Sequence, residues 1–496
     1  MLYYIDIKNK LIILSEVFMR IFDTKVQELK YMVLMELAWQ TWRGNDAFSV
    51  FNEIANEIVK KDKPPMSCCI YKDRAIVAER IRIALGGNKN DPNVIQVIDI
   101  ACDECPVAGH VVTDLCRGCV AHKCYDACKV GAITVDDEQM AHIDKKKCVE
   151  CGRCAEVCPY SAITNFKRPC ERACKVGAIH MAQDGGEATI DSEKCIACGS
   201  CVYQCPFGAT LDVSSITDVI KTIMASDGNE KFKVYAIVAP AIASQFTYAK
   251  PGQVITAIKE LGFYAVEEVA LGADIVAYNE AVELQERDIM TSSCCPAFVK
   301  YIKTQFPGMA QHMSTSLSPM AETGKLIKKY EPDAKVVFIG PCTSKKAEVK
   351  LPEVGKYVDY VITFEELQAL IDSKDIIVED LPETELNTAS SFGRNFARSG
   401  GVSDAVDEAI KERIGDSVKV DPMICDGIEK CRIALLRADK GKLPNNFIEG
   451  MVCEGGCIGG SACLSHGSGN RKNIEAYGIS SKIKEIQTAV EQANNR

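Results

Sequence analysis

The stretch CVECGRCAEVCP, residues 148–159, sets Cys148, Cys151 and Cys154 two residues apart and places Cys158 three residues on, directly before Pro159. It returns 47 residues later as CIACGSCVYQCP, residues 195–206, with Cys195, Cys198, Cys201 and Cys205 before Pro206. Each run follows a matching piece, Cys124-x3-Cys128-Lys-Val-Gly-Ala-Ile in the first copy and Cys170-x3-Cys174-Lys-Val-Gly-Ala-Ile in the second. The middle of the chain is therefore an internal repeat built around cysteine.

The chain has 496 residues and 26 cysteines, and sixteen of them lie between Cys102 and Cys205. Clustered cysteines mean disulfides in an oxidising compartment or metal ligation in a reducing one. The first twenty residues show neither a small-residue cleavage site nor a twin-arginine pair, so a cytoplasmic location with reduced thiols is expected. Apolar residues make up 47% and charged residues 25%, ordinary globular values, and no run of 18 uncharged apolar residues is present to span a bilayer. A formal charge of −10 lacks the basic footprint of a nucleic-acid binder. Neither nucleic acid nor membrane is an expected partner.

The C-x2-C-x2-C-x3-C-P run is the bacterial ferredoxin signature, in which three thiolates hold one 4Fe-4S cluster and the fourth reaches a second. Structural zinc on C-x2-C pairs needs four thiolates per ion and leaves the third and fourth cysteines before proline unexplained. Sixteen thiolates divided by four suggest four 4Fe-4S clusters. Cys116-x2-Cys119 precedes the first copy, and an unpaired C-x2-C stands at Cys102 and Cys105. The expected set joins Cys102 and Cys105 to Cys170 and Cys174. A 2Fe-2S site, another pairing, and a partnership of Cys158 with the 195–201 loop remain open at this level.

The organisation around this module follows from periodicity. Val26, Leu29, Val33 and Leu37, then Phe51, Ile54 and Ile58, recur at helical spacing, with Pro64-Pro65 as a stop, so residues 1–100 are expected to be mainly helical. Residues 101–212 form the ferredoxin-like module. In residues 213–496 the β-branched runs Val234–Val238 and 336–339 alternate with helical stretches at 254–261 and 274–287, the pattern of an α/β domain. The expected fold class is thus α+β multidomain.

Three further cysteine motifs lie in that last part: Ser293-Cys294-Cys295-Pro296, Gly340-Pro341-Cys342-Thr343-Ser344-Lys345-Lys346-Ala347-Glu348, and Met451-Val452-Cys453-Glu454-Gly455-Gly456-Cys457. In this order, after a ferredoxin module, they resemble the signature segments of the FeFe hydrogenases, TSCCPxW, PCxxKxxE and ExMxCxxGCxxGG. The resemblance implies an H-cluster, a 4Fe-4S cubane joined through one cysteine to a two-iron subsite with CO, CN− and a dithiolate. Its ligands would be Cys295, Cys342, Cys453 and Cys457, with Cys457 as the bridge. Cys294 would carry the proton to and from the subsite. Glu280, Glu283 and Arg287, spaced i, i+3, i+7 on one helix, match the family's proton path, with Ser314 linking the two glutamates. A charged stripe of that spacing alone is most often a solvated helix face. Lys345 would donate to a cyanide, Met451 would pack on the subsite, and Pro240 of Ala239-Pro240-Ala241 would line the pocket. Lys346 is expected to be a solvated charge.

The implied reaction is 2H+ + 2e− ⇌ H2, with H2 and protons as substrates and a ferredoxin or flavodoxin as electron carrier. The carrier is drawn by Lys145-Lys146-Lys147 beside Cys148, unless those lysines are merely solvated. Maturation proteins would build the two-iron unit. The rival reading is a non-catalytic or H2-sensing relative without a functional subsite, which would be expected to lose Cys294 and Lys345. Gly340, Ala297, Phe298 and Ser461 depart from the family pattern and are expected to alter packing around the subsite. Cys68, Cys69, Cys425, Cys431 and Cys463 receive no role, Cys463 being a secondary candidate.

Overall fold

A computed structural model describes residues 22–45, 51–61, 66–103, 105, 106, 108–181, 186–415 and 419–495. The expected stop at Pro64-Pro65 lies outside these. The helices Lys25–Trp42, Phe51–Ile58 and Ile70–Ala84 follow the apolar spacing. The first begins at Thr24, whose hydroxyl accepts from the Gln27 N–H at 3.2 Å, the usual way to satisfy a free helix-start donor. Tyr31, Leu34 and Leu37 are buried in the same core as Val234, Ala236 and Ile237. Tyr31 donates to Asp372 (2.6 Å) and Trp42 to Ser373 (3.1 Å), so the leading helix is stitched to helix Phe364–Ser373.

The cysteine-rich middle consists of two units, one inside the other. In the outer unit strand Ile95–Val97 pairs antiparallel with Thr210–Asp212 and encloses the hairpin Ile179–Met181/Ala188–Ile190. In the inner unit Gly109–Val112 pairs with Ile163–Phe166 and encloses the hairpin Ile133–Val135/Ala141–Ile143. The inner unit is threaded into the outer one between Cys105 and Cys170. That insertion explains the lone C-x-x-C at Cys102: it is the first half of the outer unit, cut off from its partner.

The C-terminal part holds two parallel sheets. One has the order Ala265–Glu268, Val234–Val238, Lys335–Gly340, Tyr360–Thr363, the other Met290–Thr291, Phe447–Met451, Pro422–Asp426. Parallel strands need crossovers, and helices supply them on the sheet faces. Helix Val269–Gln285 is buried on nearly every side, and Gly272 lets it approach helix Pro319–Tyr330 so closely that a Cβ there would strike the Pro319 carbonyl. Among the described residues no helix is long and apolar enough to cross a membrane.

Candidate functional site

Most of the cluster loops turn through left-handed residues. Ser161, Ala197 and Glu150 adopt φ of +51°, +55° and +53° beside glycines such as Gly131 and Gly208. The turns aim backbone N–H groups at sulfur: Ala132 donates to Cys128 (3.2 Å), Ala162 to Cys158 (3.4 Å), Ala178 to Cys174 (3.2 Å) and Ala209 to Cys205 (3.2 Å). Such donors favour the thiolate, the form that binds iron.

The neighbours of the sixteen thiols point to another division than the expected pairing. Cys116, Cys119, Cys124 and Cys158 line one cavity, so Cys158 belongs with its own unit and not with the 195–201 loop. In the outer unit, burial and then the thiols of Cys205 and Cys102 push Cys170 up to about 12. Cys201 is pushed up by burial and then by Cys198, Cys195, Cys174 and, last, Cys170. These neighbours favour another set than the expected Cys102, Cys105, Cys170 and Cys174: Cys205 and Cys102 both stand beside Cys170, and Cys174 stands beside the 195–201 loop. Among the described residues no three His, Cys, Asp or Glu side chains gather tightly enough for a single metal ion.

The second site lies where parallel strands end, the place at which open α/β sheets present ligand crevices. Cys295 precedes helix Pro296–Gln305, Cys342 follows strand Lys335–Gly340, and Cys453 and Cys457 follow strand Phe447–Met451. Pro240 opens the turn after the neighbouring strand Val234–Val238, and Met451 is buried in the apolar cluster against which Cys294 packs. The four thiols sense one another. Burial and then Cys295 push Cys342 up to about 11, burial, Cys295 and Cys342 push Cys457 up to about 12, and Cys453 rises for the same causes. Yet Cys457 is exposed and Cys295, Cys342 and Cys453 keep partial surface. Thiols whose ionisation burial opposes ionise readily beside added positive charge, which iron would supply.

Beside them Cys294 is pushed well above its ordinary value by burial, then by Glu280, Cys295 and Cys457, against Lys345. Glu280 has no exposed surface; neither carboxylate oxygen makes a close hydrogen bond among the described residues, but the Ser314 hydroxyl and the Ser293 N–H lie near enough to oppose its rise. Burial is the largest cause that moves it from 4.5 to about 8. The solvated-stripe reading therefore fails for Glu280. Ser314 donates to Glu283 at 3.5 Å, Glu283 also accepts from the Thr315 N–H at 2.9 Å, and Arg287 lies 3.4 Å from Glu283. The helix ends at Gln285, so Arg287 is past its face and is held instead by donating to the Met313 carbonyl at 2.8 Å. Lys345 Nζ is bound to Glu348 at 2.7 Å and reaches the Cys294 carbonyl at 3.4 Å. Burial lowers this ammonium, but Glu348, then Cys342 and Cys294, hold it above its ordinary value. The motif's terminal glutamate, Glu348, was the signal available in sequence for this ion pair.

Lys346 corrects the expectation of a solvated charge: it is 4% exposed and lies 2.7 Å from Asp212 and 2.8 Å from Glu366. Ser461 reaches the cluster module as well. Its hydroxyl donates to the Cys198 carbonyl at 2.9 Å, while Thr343 donates to Ala197 (2.7 Å) and Ser344 to Ile196 (3.0 Å). These bonds dock the 195–199 cluster loop directly on the second site, and Cys453 senses Cys198.

Residues 232–461 match the iron only hydrogenase large subunit, C-terminal domain, and residues 115–162 and 140–206 match 4Fe-4S dicluster domains. The periplasmic Fe hydrogenase large subunit of Nitratidesulfovibrio vulgaris is 30% identical over 382 residues, 66% of this chain and 86% of the relative. The chain belongs to the iron-only hydrogenase family. Iron hydrogenase 1 of Clostridium pasteurianum is 30% identical over 374 residues, and the match spans 64% of each chain. A cytosolic Fe-S cluster assembly factor of Sclerotinia sclerotiorum is 32% identical over 142 residues, 25% of each chain. The family resemblance thus extends to hydrogenases and to an assembly factor.

Proposed function

We propose that this family member is a hydrogenase catalysing 2H+ + 2e− ⇌ H2. Cys295, Cys342, Cys453 and Cys457 hold its H-cluster, and the sixteen cysteines of the nested units hold four 4Fe-4S clusters. When bound, the H-cluster supplies the iron at which hydrogen forms or splits and an amine that takes the first proton. The observation that carries the reading is the wholly buried carboxyl of Glu280, with Ser314 beside it and facing the raised thiol of Cys294.

Burial, then Glu280 and Cys295, favour the protonated form of Cys294, the form in which it carries a proton. Glu280, at about 8, is populated in both forms near neutrality, the condition for efficient exchange of a proton with its neighbours. Ser314 and Glu283 continue the route, and Arg287 marks its partly exposed end. Lys345, kept charged by Glu348, anchors an anionic cyanide in a buried site. Electrons cross the docked 195–199 loop, supplied by a ferredoxin or flavodoxin, and maturation proteins deliver the two-iron unit.

Anaerobically matured protein tests this. Infrared bands of metal-bound CO and CN− together with H2 evolution are expected. Cys294→Ala should keep the bands and lose about 100-fold or more of turnover, the scale of a general acid–base group. Iron for the cubane without those bands would favour instead the scaffold reading suggested by the assembly-factor relative.

A further inference from the structure

Two arginines are buried against one cluster site of the outer unit. Arg168 is 2% exposed. Its Nη1 donates to Cys102 Sγ at 3.4 Å, its Nε to the Pro106 carbonyl at 3.1 Å and its Nη2 to the Cys105 carbonyl at 3.4 Å. Cys102 Sγ also accepts the Ala188 N–H at 3.3 Å. Arg80, 5% exposed on helix Ile70–Ala84, donates through Nη2 to the Phe207 carbonyl at 3.0 Å. Its Nε is buried with no partner among the described residues. A Cβ at Gly208 would lie 2.7 Å from Arg80 Nη2, which fixes the guanidinium against the turn after Cys205. Burial brings Arg80 down to about 10, and Cys205, ahead of Asp73, opposes that fall.

At the other sites, among the described residues, the neighbouring cations are less buried: Arg117 and Lys123, which line the cavity of Cys116, Cys119, Cys124 and Cys158, are both exposed. The cation facing Cys148 is Lys145, which is shared with Glu150 at 3.3 Å. Cys195 faces Lys300, half-buried, whose ammonium is spent on the Ser192 carbonyl at 3.0 Å.

We propose that Arg80 and Arg168 are positioning residues that raise the reduction potential of the cluster held by Cys102, Cys105, Cys170 and Cys205 above those of the other three accessory clusters. The proposal rests on the reading that these thiols hold a 4Fe-4S cluster. One-electron reduction adds a negative charge to the cluster. Two fixed guanidiniums in a low-dielectric interior, one donating to a ligand sulfur, favour the reduced form. The site sits where the inner unit joins the outer, so an electron arriving from the inner unit rests there before it moves to the docked loop.

EPR-monitored redox titration of the full-length protein with its clusters tests this without reference to turnover. Arg168→Gln and Arg80→Gln should each shift one cluster only, making it about tenfold less reduced at a fixed potential, about 59 mV for one electron. Arg168→Lys and Arg80→Lys, which keep the charge, should restore most of the shift. Unmoved midpoints in Arg80→Gln, whether or not Arg168→Gln loses four irons, would reduce the arginines to structural clamps and overturn the proposal. A wild-type protein with no reducible cluster would overturn the ligand reading beneath it, whereas four clusters with unmoved midpoints overturn the proposal alone.

Discussion

Glu280 shows how far one residue's setting departs from its sequence appearance. In the folded chain its carboxyl holds a proton up to about pH 8, whereas the exposed, unfolded value is 4.5. Between those values the folded chain binds more protons than the unfolded one, so stability is fully present below pH 4.5 and is lost as pH rises toward 8. Glu280→Gln removes this dependence. Anaerobic urea unfolding should show the wild type losing roughly 3 kcal/mol relative to the variant between pH 5 and pH 8.5. Parallel pH curves for the two would mean that the carboxyl is not held protonated. The same substitution leaves no group to exchange protons with Cys294, so turnover should fall by about 100-fold or more while cluster content is kept.

At the level of elements, the joint between the three parts of the chain is a buried group of five charges. Lys30 on the leading helix lies 2.5 Å from Asp212 and 2.6 Å from Glu365, and Lys346 completes the group with Asp212 and Glu366. Burial raises Asp212, yet Lys30 and Lys346 together hold it well below the usual carboxylate range. Removing one partner of such a group leaves an uncompensated charge, so Lys346→Met should cost roughly 3–5 kcal/mol of stability. Calorimetry at neutral pH reads this directly; a loss below about 1 kcal/mol, the scale of an exposed pair, would show the network to be solvated. The elements themselves were legible from sequence: the apolar spacing of Val26, Val33 and Leu37 and the β-branched run Val234–Val238 each encode one element with one buried face or two. The role of Lys346 was not, because its partners are Asp212, 134 residues away, and Glu366, and no local pattern records a partner so distant.

For the whole molecule, the motifs made the two kinds of site readable because cluster ligands must be cysteines at fixed spacing, whereas the nesting of one unit inside the other depends on strand pairs such as Gly109–Phe166 and Ile95–Asp212 that no spacing reveals. The same limit hid the contact that makes the parts one machine, the 195–199 loop on Thr343, Ser344 and Ser461. Gly199 has φ +76° there, and a Cβ would strike Ser461 Oγ and lie 2.6 Å from Thr343 Oγ1. Both oxygens are fixed by their bonds to the loop, so the loop itself must move. Gly199→Ala also strains a left-handed backbone position, by about 1–2 kcal/mol. The expected outcome separates the two halves of the reaction. Hydrogen evolution driven by a reduced carrier should fall severalfold, because electrons must cross the displaced loop. Exchange between H2 and D2O should persist, because it uses only the second site and its proton route through Cys294 and Glu280. Equal losses in both assays would instead mean that the loop shapes the catalytic site itself, and the division of labour between electron path and proton path would fail.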